Sequence, residues 1–366
     1  MTLLYITFID FNNSTSGSGV RPQKMYAAFN ELGLEIKLLQ GQQNRRAERR
    51  IKVGDILGWL DDNRPDICYI EPPSGPFFNS IDHKLLKKLK AMNIPIGLFY
   101  RDMYWKFGLG SPEKGLGARI KGLIIKMMHK RDWRIFMKTL SIIYFPTLSM
   151  ADMLPVSIPA KALPPGCFNA ASPRKSDTVQ VPTGIYIGGL AELYGAIKML
   201  KAAELIHAKG VNFNLKLICR EAEWKHFAQE NKLTTLPDWL EVLHISGDDA
   251  LSEQYAQADF ALCPHEVNSY NNITISVKIM EYLSYLKPVV VTETIPMKTF
   301  VTQNDIGIVT KDSVEAFADG MLKMIQNDSL RDGYAKNCLT ARQANLWIKR
   351  AQSVVDDLIS FREMKD

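Results

Sequence analysis

Apolar residues along this chain fall into short runs that alternate with segments of helical spacing. The opening LLYITFI is an apolar, β-branched and aromatic run, the mark of a buried strand. A polar small-residue loop follows, DFNNSTSGSGVRP, and then QKMYAAFNELG with Met25, Ala28, Phe29 and Leu32 at helical spacing and Gly33 as the stop. EIKLL is the next strand, so the order strand, glycine loop, helix, strand predicts a βαβ unit. IKVGDILGWLDDN reads as a helix, DICYIE as a strand, DHKLLKKLKAMN as a basic amphipathic helix, and IPIGLFYRD and SIIYFP as further strands.

The alternation breaks at Pro155, Pro159, Pro164, Pro165 and Gly166, which lead into the polar stretch NAASPRKSD. A second series begins at Thr183. TGIYIGGL, FNLKLICR, EVLHISG, FALCP and KPVVVTE read as strands, and GAIKMLKAAELIHAKG, ALSEQYAQAD and ISVKIMEYLSYL as helices. SVEAFADGMLKMIQND and IKRAQSVVDDLISF are terminal helices. The pattern predicts a first α/β domain over 1–168, a linker over 169–182, a second α/β domain over 183–345 and a closing helix over 346–366.

Composition changes this picture little. The chain has 366 residues, 46% hydrophobic and 23% charged, which suits two packed domains. Its five cysteines form no CxxC pair and sit in apolar runs, as expected of reduced core thiols. MTLLYITFID lacks a basic stretch before Asp10, so a signal peptide is not expected, and no apolar run is long enough for a spanning helix. Charge is informative only in its placement. Between Lys106 and Lys138 nine Lys/Arg face Glu113 and Asp132, a net +7 in a chain whose total is +6.

Open parallel sheets bind ligands beyond the carboxyl ends of their strands. In the first half those ends are the loop with Gly17 and Gly19, the Glu71-Pro72-Pro73-Ser74-Gly75 loop, and Tyr100-Arg101-Asp102. In the second they are Gly188-Gly189, Arg220-Glu221, His244, and the loop from Pro264 through Asn272 to the helix holding Glu281. Gly17 and Gly19 let backbone N–H groups approach a ligand, although the loop is neither GxGxxG nor a P-loop; a tight turn is the alternative reading. No HExxH, paired-histidine or DxD pattern suggests a metal.

The most specific pattern is Ser276, Lys278, Glu281, Tyr282, Lys287, Pro288, Val289 and Val290 within NNITISVKIMEYLSYLKPVVVTE. It resembles the donor-binding segment of GT-B glycosyltransferases of family 4 and its relatives, of exopolysaccharide or capsule type. IYIGGL, LPPGC and the final helix extend that resemblance over most of the chain. The resemblance implies a GT-B fold: two Rossmann-like domains with facing parallel sheets and an inter-domain cleft. It implies transfer of a sugar from a nucleotide sugar, a UDP-sugar, to a lipid-linked saccharide, with no cofactor and no metal. The first turn of the helix at Ser276 and the charge of Lys278 suit a diphosphate, and Glu281 suits ribose hydroxyls. Gly17, Gly19, Gly188, Gly189, Arg220, His244 and Asn272 complete the donor-side set.

The family's frequent Glu eight positions before the ribose-binding one is Ile273 here, which leaves retention or inversion open. Asp102 is the candidate base for direct displacement, with a helix cap or a pair with Arg101 as the alternative. An epimerase of the same fold and a non-catalytic partner subunit remain alternatives to transfer. In ARIKGLIIKMMHKRDWRIFMKTL, Ile120, Leu123, Ile124, Met127 and Met128 recur at helical spacing among Lys126, Lys130, Arg131 and Arg134, with Trp133 suited to a headgroup level. With Arg101, Tyr104 and Trp105 these form the acceptor and membrane set, placing the chain on the cytoplasmic face of an anionic membrane; an ordinary domain helix is the alternative. No nucleic-acid recognition motif accompanies the basic run.

Overall fold

The computed structural model describes residues 1–11, 19–108, 116–170 and 181–363. The chain divides into two compact units, Met1–Pro165 with Trp347–Asp366, and Gly166–Leu346. The predicted linker falls largely outside the described residues, as does Gly17.

In the first unit β1 (Thr2–Thr7), α1 (Val20–Glu31), β2 (Glu35–Leu39), α2 (Arg46–Asp62), β3 (Ile67–Glu71), α3 (Ser80–Ala91) and β4 (Ile96–Phe99) follow one another. α4 (Tyr104–Phe107), α5 (Leu116–Thr139), β5 (Ile142–Phe145), α6 (Leu148–Ala151) and β6 (Ala160–Ala162) complete its run. The sheet is wholly parallel, in the order β2-β1-β3-β4-β5-β6. Leu3 and Tyr5 pack with Phe29, Tyr69 and Tyr144, while Leu4 and Ile6, on the other side of the pleat, are equally buried. Burial of both faces is why these strands read as unbroken apolar runs. Several parts of this unit escaped the sequence pattern: the four-residue helices α4 and α6, the three-residue β6, and the first turn of α2, which begins at Arg46 and not Ile51.

In the second unit the order is β7 (Thr183–Ile187), α7 (Ala196–Ala208), β8 (Asn214–Ile218), α8 (Glu221–Glu230), β9 (Leu240–Leu243), α9 (Asp248–Gln257) and β10 (Phe260–Cys263). Then come α10 (Val277–Ser284), β11 (Val289–Thr292), α11 (Ile295–Asn304), β12 (Gly307–Thr310), α12 (Val314–Gln326) and α13 (Asp328–Ala344). This sheet is also parallel, in the order β12-β11-β10-β7-β8-β9. Tyr186, Leu217, Leu262 and Val290 enter one core with α7 and α12, and Ile185, Ile218, Cys263 and Val291 enter another with Ile279 and Met280 of α10. α8, α11, β12 and α13 were not legible in the pattern, because their apolar residues are few or interrupted. The last helix, α14 (Trp347–Glu363), packs on α1 and on β3 and β4, within the first unit. All five cysteines are free and buried.

Strand order reverses direction beside β1 in the first sheet and beside β7 in the second. The carboxyl ends of β1 and β3, and of β7 and β10, therefore flank the two switch points.

Buried cations fix both of these edges. Arg49 is fully buried; its Nε and NH2 donate to Asp82 Oδ1 at 3.0 and 2.9 Å, and NH1 donates to the carbonyls of Thr7 (2.9 Å) and Gly41 (3.3 Å). Its guanidinium also lies over the Phe8 ring at 3.8 Å. Removing one partner of such a pair strands the other charge in the interior, at a cost of about 3–5 kcal/mol. We expect Arg49→Met to destabilise the first unit by that amount in urea denaturation, and the double variant Arg49→Met/Asp82→Leu to recover a large part. A single variant as stable as the parent would show that the pair holds nothing.

Candidate functional site

The second unit gathers its chemistry at the β7/β10 switch point. Beyond β7 the backbone passes through Gly188, whose φ of +143° suits glycine, and Gly189. Beyond β10 come Pro264 and His265, and Ser276 precedes α10 as its N-cap, with a side chain that makes no capping bond to the helix. From the first turn of α10 the half-buried Lys278 reaches back over this loop. Its Nζ donates to the Tyr186 hydroxyl at 2.6 Å and lies 4.2 and 4.4 Å from the Tyr186 and Tyr194 ring centres. Burial lowers its pKa to about 8, against the raising influence of Cys263, Glu281 and Glu223. The ammonium thus remains mostly charged at neutral pH, held by aromatic faces beside free helix N–H groups. That is an arrangement for an oxyanion.

His265 lies against Tyr194, buried, with Nε2 unpartnered. Burial, then the charges of Lys278 and Lys198, lower its pKa to about 3, so it stands as a neutral imidazole. The loop that carries it is pinned by buried Lys198 of α7, which donates to the Pro264 carbonyl (3.1 Å) and pairs with Glu266 (2.9 Å) and Asp312. Gly195, at φ +69°, passes so close that an added Cβ would sit 1.8 Å from the Pro264 carbonyl oxygen.

Other sequence-derived residues divide between this locus and the surface. Glu281 is half-buried beside Tyr255, whose phenol is raised well above its usual pKa by burial and then by the Glu281 charge. Tyr282 ties strands together, since its hydroxyl accepts from Ile187 N–H (3.2 Å) and donates to the Leu262 carbonyl (3.1 Å). Lys287 donates to the Ala258 carbonyl. Asn272 accepts from Ile295 N–H at 3.0 Å. Arg220 is exposed and pairs with Glu223 at 3.4 Å, and His244 has its Nδ1 3.0 Å from the Cys219 carbonyl. Tyr186, Tyr194, Lys198 and His265 were missed by sequence reasoning; a Lys flanked by apolar residues in the first turn of α7 and a His just after a strand were the available signals.

In the first unit Gly19 caps α1 and is buried. Just inside that helix Arg21 is buried against Glu71, with Nε donating to Oε1 at 2.9 Å, and its guanidinium lies 3.5 Å from the Phe99 ring centre. Asp102 follows β4 and is buried, with Oδ1 unpartnered. Burial raises its pKa, opposed by hydrogen bonds from Ser74 and the Tyr104 backbone and by the Arg101 charge. Asp102 lines a small pocket with Ser74, Phe77, Tyr100, His129 and Asp132. Trp105 stacks on His129 at 4.7 Å and donates to the Tyr100 hydroxyl at 3.0 Å; Tyr104 is exposed. His129 and Asp132 were missed because α5 was read only for its basic and apolar residues.

The structure splits α5. Ile120, Leu123, Ile124 and Met127 are 51–62% exposed, and Lys126, Lys130 and Arg134 are exposed beside them. Further along, Phe136 is buried, and Arg131 donates to the Phe77 carbonyl (2.6 Å) and Asp132 (3.1 Å). Trp133 donates to the Pro155 carbonyl at 3.2 Å and packs edge-on against Tyr100, so it belongs to the domain and not to a headgroup layer. Among the described residues no helix is long and apolar enough to cross a membrane, and no group of His, Cys, Asp or Glu could hold a metal ion.

The model of the family described as Glycosyl transferases group 1 matches residues 181–327, most of the second unit. No curated protein matches the chain. Among solved structures the chain is similar to a UDP-forming α,α-trehalose-phosphate synthase from Burkholderia xenovorans, at 11% identity over 98% of this chain and 99% of that one, with a TM-score of 0.63. A glycosyltransferase from Rickettsia africae ESF-5 gives 11%, 98%, 98% and 0.65. A lipopolysaccharide outer core galactosyltransferase gives 10%, 98%, 99% and 0.58. The shared architecture is the GT-B fold of two α/β domains.

Gly188 offers a direct test of the Lys278 arrangement. A Cβ there would stand 2.1 Å from Lys278 Cε, on a backbone conformation that side chains disfavour. We expect Gly188→Ala to displace Lys278 and weaken the binding of a diphosphate, titrated as inorganic pyrophosphate, about tenfold or more, the scale of one charged hydrogen bond. Lys278→Met should do the same, and the double variant should add little to either. Isothermal titration showing parental affinity in Gly188→Ala would mean that Lys278 does not meet the ligand there.

Proposed function

We propose that this chain, a glycosyltransferase of group 1, moves a glycosyl residue from a UDP-sugar on its second unit to a saccharide acceptor on its first. The observation that carries the donor side is the Lys278 ammonium seated over Gly188, between Tyr186 and Tyr194, at the sheet's switch point. A leaving nucleoside diphosphate gains negative charge as the glycosidic bond breaks. Lys278 and the N–H groups opening α10 are the candidates to stabilise that charge. Glu281 is the candidate for the ribose hydroxyls. No metal is needed for this step, because fixed cations and dipoles do its electrostatic work.

On the acceptor side Asp102 is the candidate base. Its raised pKa and its unpartnered oxygen suit a carboxylate that takes the proton of an acceptor hydroxyl as that oxygen attacks. Purified full-length protein should release UDP from a UDP-sugar only when a saccharide acceptor is supplied. We expect Asp102→Asn to lower turnover about 10²-fold or more with donor affinity unchanged. kcat/KM should rise with pH to a plateau above the ordinary carboxylate range, because the base form is lost as pH falls. Turnover near parental in the variant removes Asp102 from the chemistry; sugar isomerisation without transfer would make the chain an epimerase, and donor binding without turnover a partner subunit.

The acceptor is lipid-linked in this reading, and the exposed part of α5 supports it. Ile120, Leu123, Ile124 and Met127 fall within an arc of about 100° on the helix, and all four are exposed. Arg119, Lys126 and Lys130 lie along one side of that arc and Lys121 along the other, with Arg134 further down the helix in line with it. An apolar stripe bordered by cations is complementary to an anionic bilayer surface, which supports the reading of a chain that works at the inner face of a cell membrane in surface or exopolysaccharide assembly. Each cation near such a leaflet contributes about 1 kcal/mol. We expect sedimentation with phosphatidylglycerol vesicles but not with neutral ones, weakened by salt. Lys126→Glu/Lys130→Glu/Arg134→Glu should cut it by about 100-fold or more. Binding to neither vesicle type would leave a dissolved acceptor as the better account.

A further inference from the structure

Tyr255 of α9 is wholly buried, and the transfer reaction described above gives it no part. Its ring is stacked on Tyr285 at 4.0 Å between centres and meets Tyr282 edge-on at 6.2 Å. Glu281 stands four residues before Tyr285, so the two share one side of α10 at its end, and the stack lays Tyr255 along that side. The Tyr255 hydroxyl is enclosed, and no described residue meets it at full hydrogen-bonding geometry. Among the side chains that act on it Glu281 comes first, ahead of Tyr282 and Tyr285. Tyr282 has committed its own hydroxyl to Ile187 N–H and the Leu262 carbonyl. For ring packing alone a phenylalanine would serve better, because an enclosed hydroxyl without a partner costs free energy. What distinguishes tyrosine at this position is a donor aimed at the carboxylate beside it.

We propose that Tyr255 is a positioning residue for the donor nucleotide: its hydroxyl donates to the Glu281 carboxylate as the ribose binds, and holds that carboxylate toward the 2′ and 3′ hydroxyls. This rests on the reading of Glu281 as the ribose-binding residue. A half-buried carboxylate on a helix turns freely about its side-chain bonds, and each freely turning bond weakens what it binds. An ionised carboxylate has acceptor positions on both oxygens, so one hydroxyl from the core side and two from a ribose are accepted together without competition. A bond from a neutral hydroxyl to a carboxylate is short and strong, which suits it to fix a plane. Tyr255 is itself fixed by the Tyr285 stack, so the carboxylate is steadied by a ring that has no freedom of its own. The consequence is selectivity for a ribose over a sugar that lacks its hydroxyls, set by a residue that never touches the ligand.

Tyr255→Phe removes one oxygen and keeps the stack. Full-length protein is titrated by calorimetry with UDP, GDP, CDP and ADP, and the tightest of these is compared with its 2′,3′-dideoxy analogue and with pyrophosphate. We expect the parent to favour the ribonucleotide over the dideoxy analogue by about tenfold or more. Tyr255→Phe should weaken the ribonucleotide about fivefold or more and leave the other two ligands within about twofold of the parent. In a Glu281→Ala background the same change should add nothing, because the hydroxyl acts only through the carboxylate. Thermal unfolding of Tyr255→Phe should match the parent. Parental affinity for the ribonucleotide in Tyr255→Phe overturns the proposal, and so does equal weakening of all three ligands, which marks a packing role. The two readings fail differently. A parent that binds the ribonucleotide and its dideoxy analogue equally removes Glu281 from the ribose and this proposal with it. A parent that discriminates, with a Tyr255→Phe variant that discriminates as well, removes the positioning role alone.

Discussion

Three buried cations hold the ligand-facing edges of both sheets. Where a parallel strand ends, its last carbonyls lose their ladder partners and cannot stay buried unpaired. Arg49 supplies two such carbonyls, Thr7 at the end of β1 and Gly41 after β2, while Asp82 of α3 balances its charge. Arg21 pairs with Glu71 at the end of β3, donates to the Pro164 carbonyl beyond β6, and lies over Phe99 of β4. Lys198 does the same work in the second unit for Pro264, Glu266 and Asp312. Desolvating a cation is expensive, and each of these offsets the cost by satisfying several groups at once. Arg49 and Arg21 do this through the planar guanidinium fork, and Lys198 through the three donors of one ammonium. Loops that would otherwise be free are thereby fixed before any ligand arrives.

That logic explains which parts of the molecule could be read from the amino-acid sequence. The central strands β1, β3, β7, β10 and β11 announced themselves because both faces are buried and nearly every residue is apolar. Helices α8 and α13 did not, since each buries few residues, Phe227 in one and Cys338, Ala341 and Arg342 in the other. Ser276, Lys278 and Glu281 were legible through spacing on one helix, the kind of local order that a sequence preserves. The partners of Lys278 were not. Tyr186 lies 92 residues away, and only the adjacency of β7 and β10 brings it into reach.

The first-unit pocket was half legible for the same reason. Asp102 stood out as a polar residue closing an apolar strand. His129 and Asp132 sit on a helix whose sequence is dominated by lysine, arginine and large apolar residues, so the eye follows the outer face and misses the inner one. α5 in fact changes allegiance along its length: four apolar residues face outward in its first half, and Phe136 turns inward in its second. Periodicity establishes that such a helix has an apolar side. Whether that side faces the core depends on what the rest of the chain puts next to it.

One consequence of Tyr282 concerns the spacing of the second sheet. β7 and β10 are paired only at Gly184 with Phe260 and Ile185 with Ala261, in the first part of each strand. Past that point the two strands are joined by a phenol: Ile187 N–H and the Leu262 carbonyl meet on the Tyr282 hydroxyl, one as donor and one as acceptor. The hydroxyl group is a spacer as well as a link, because it is an atom wider than a direct N–H···O contact. The mouth between these strands is thereby propped open by a fixed increment. The prop stands on α10, four residues beyond Lys278, so the width of the opening and the placement of its cation are gauged by one rigid turn of helix.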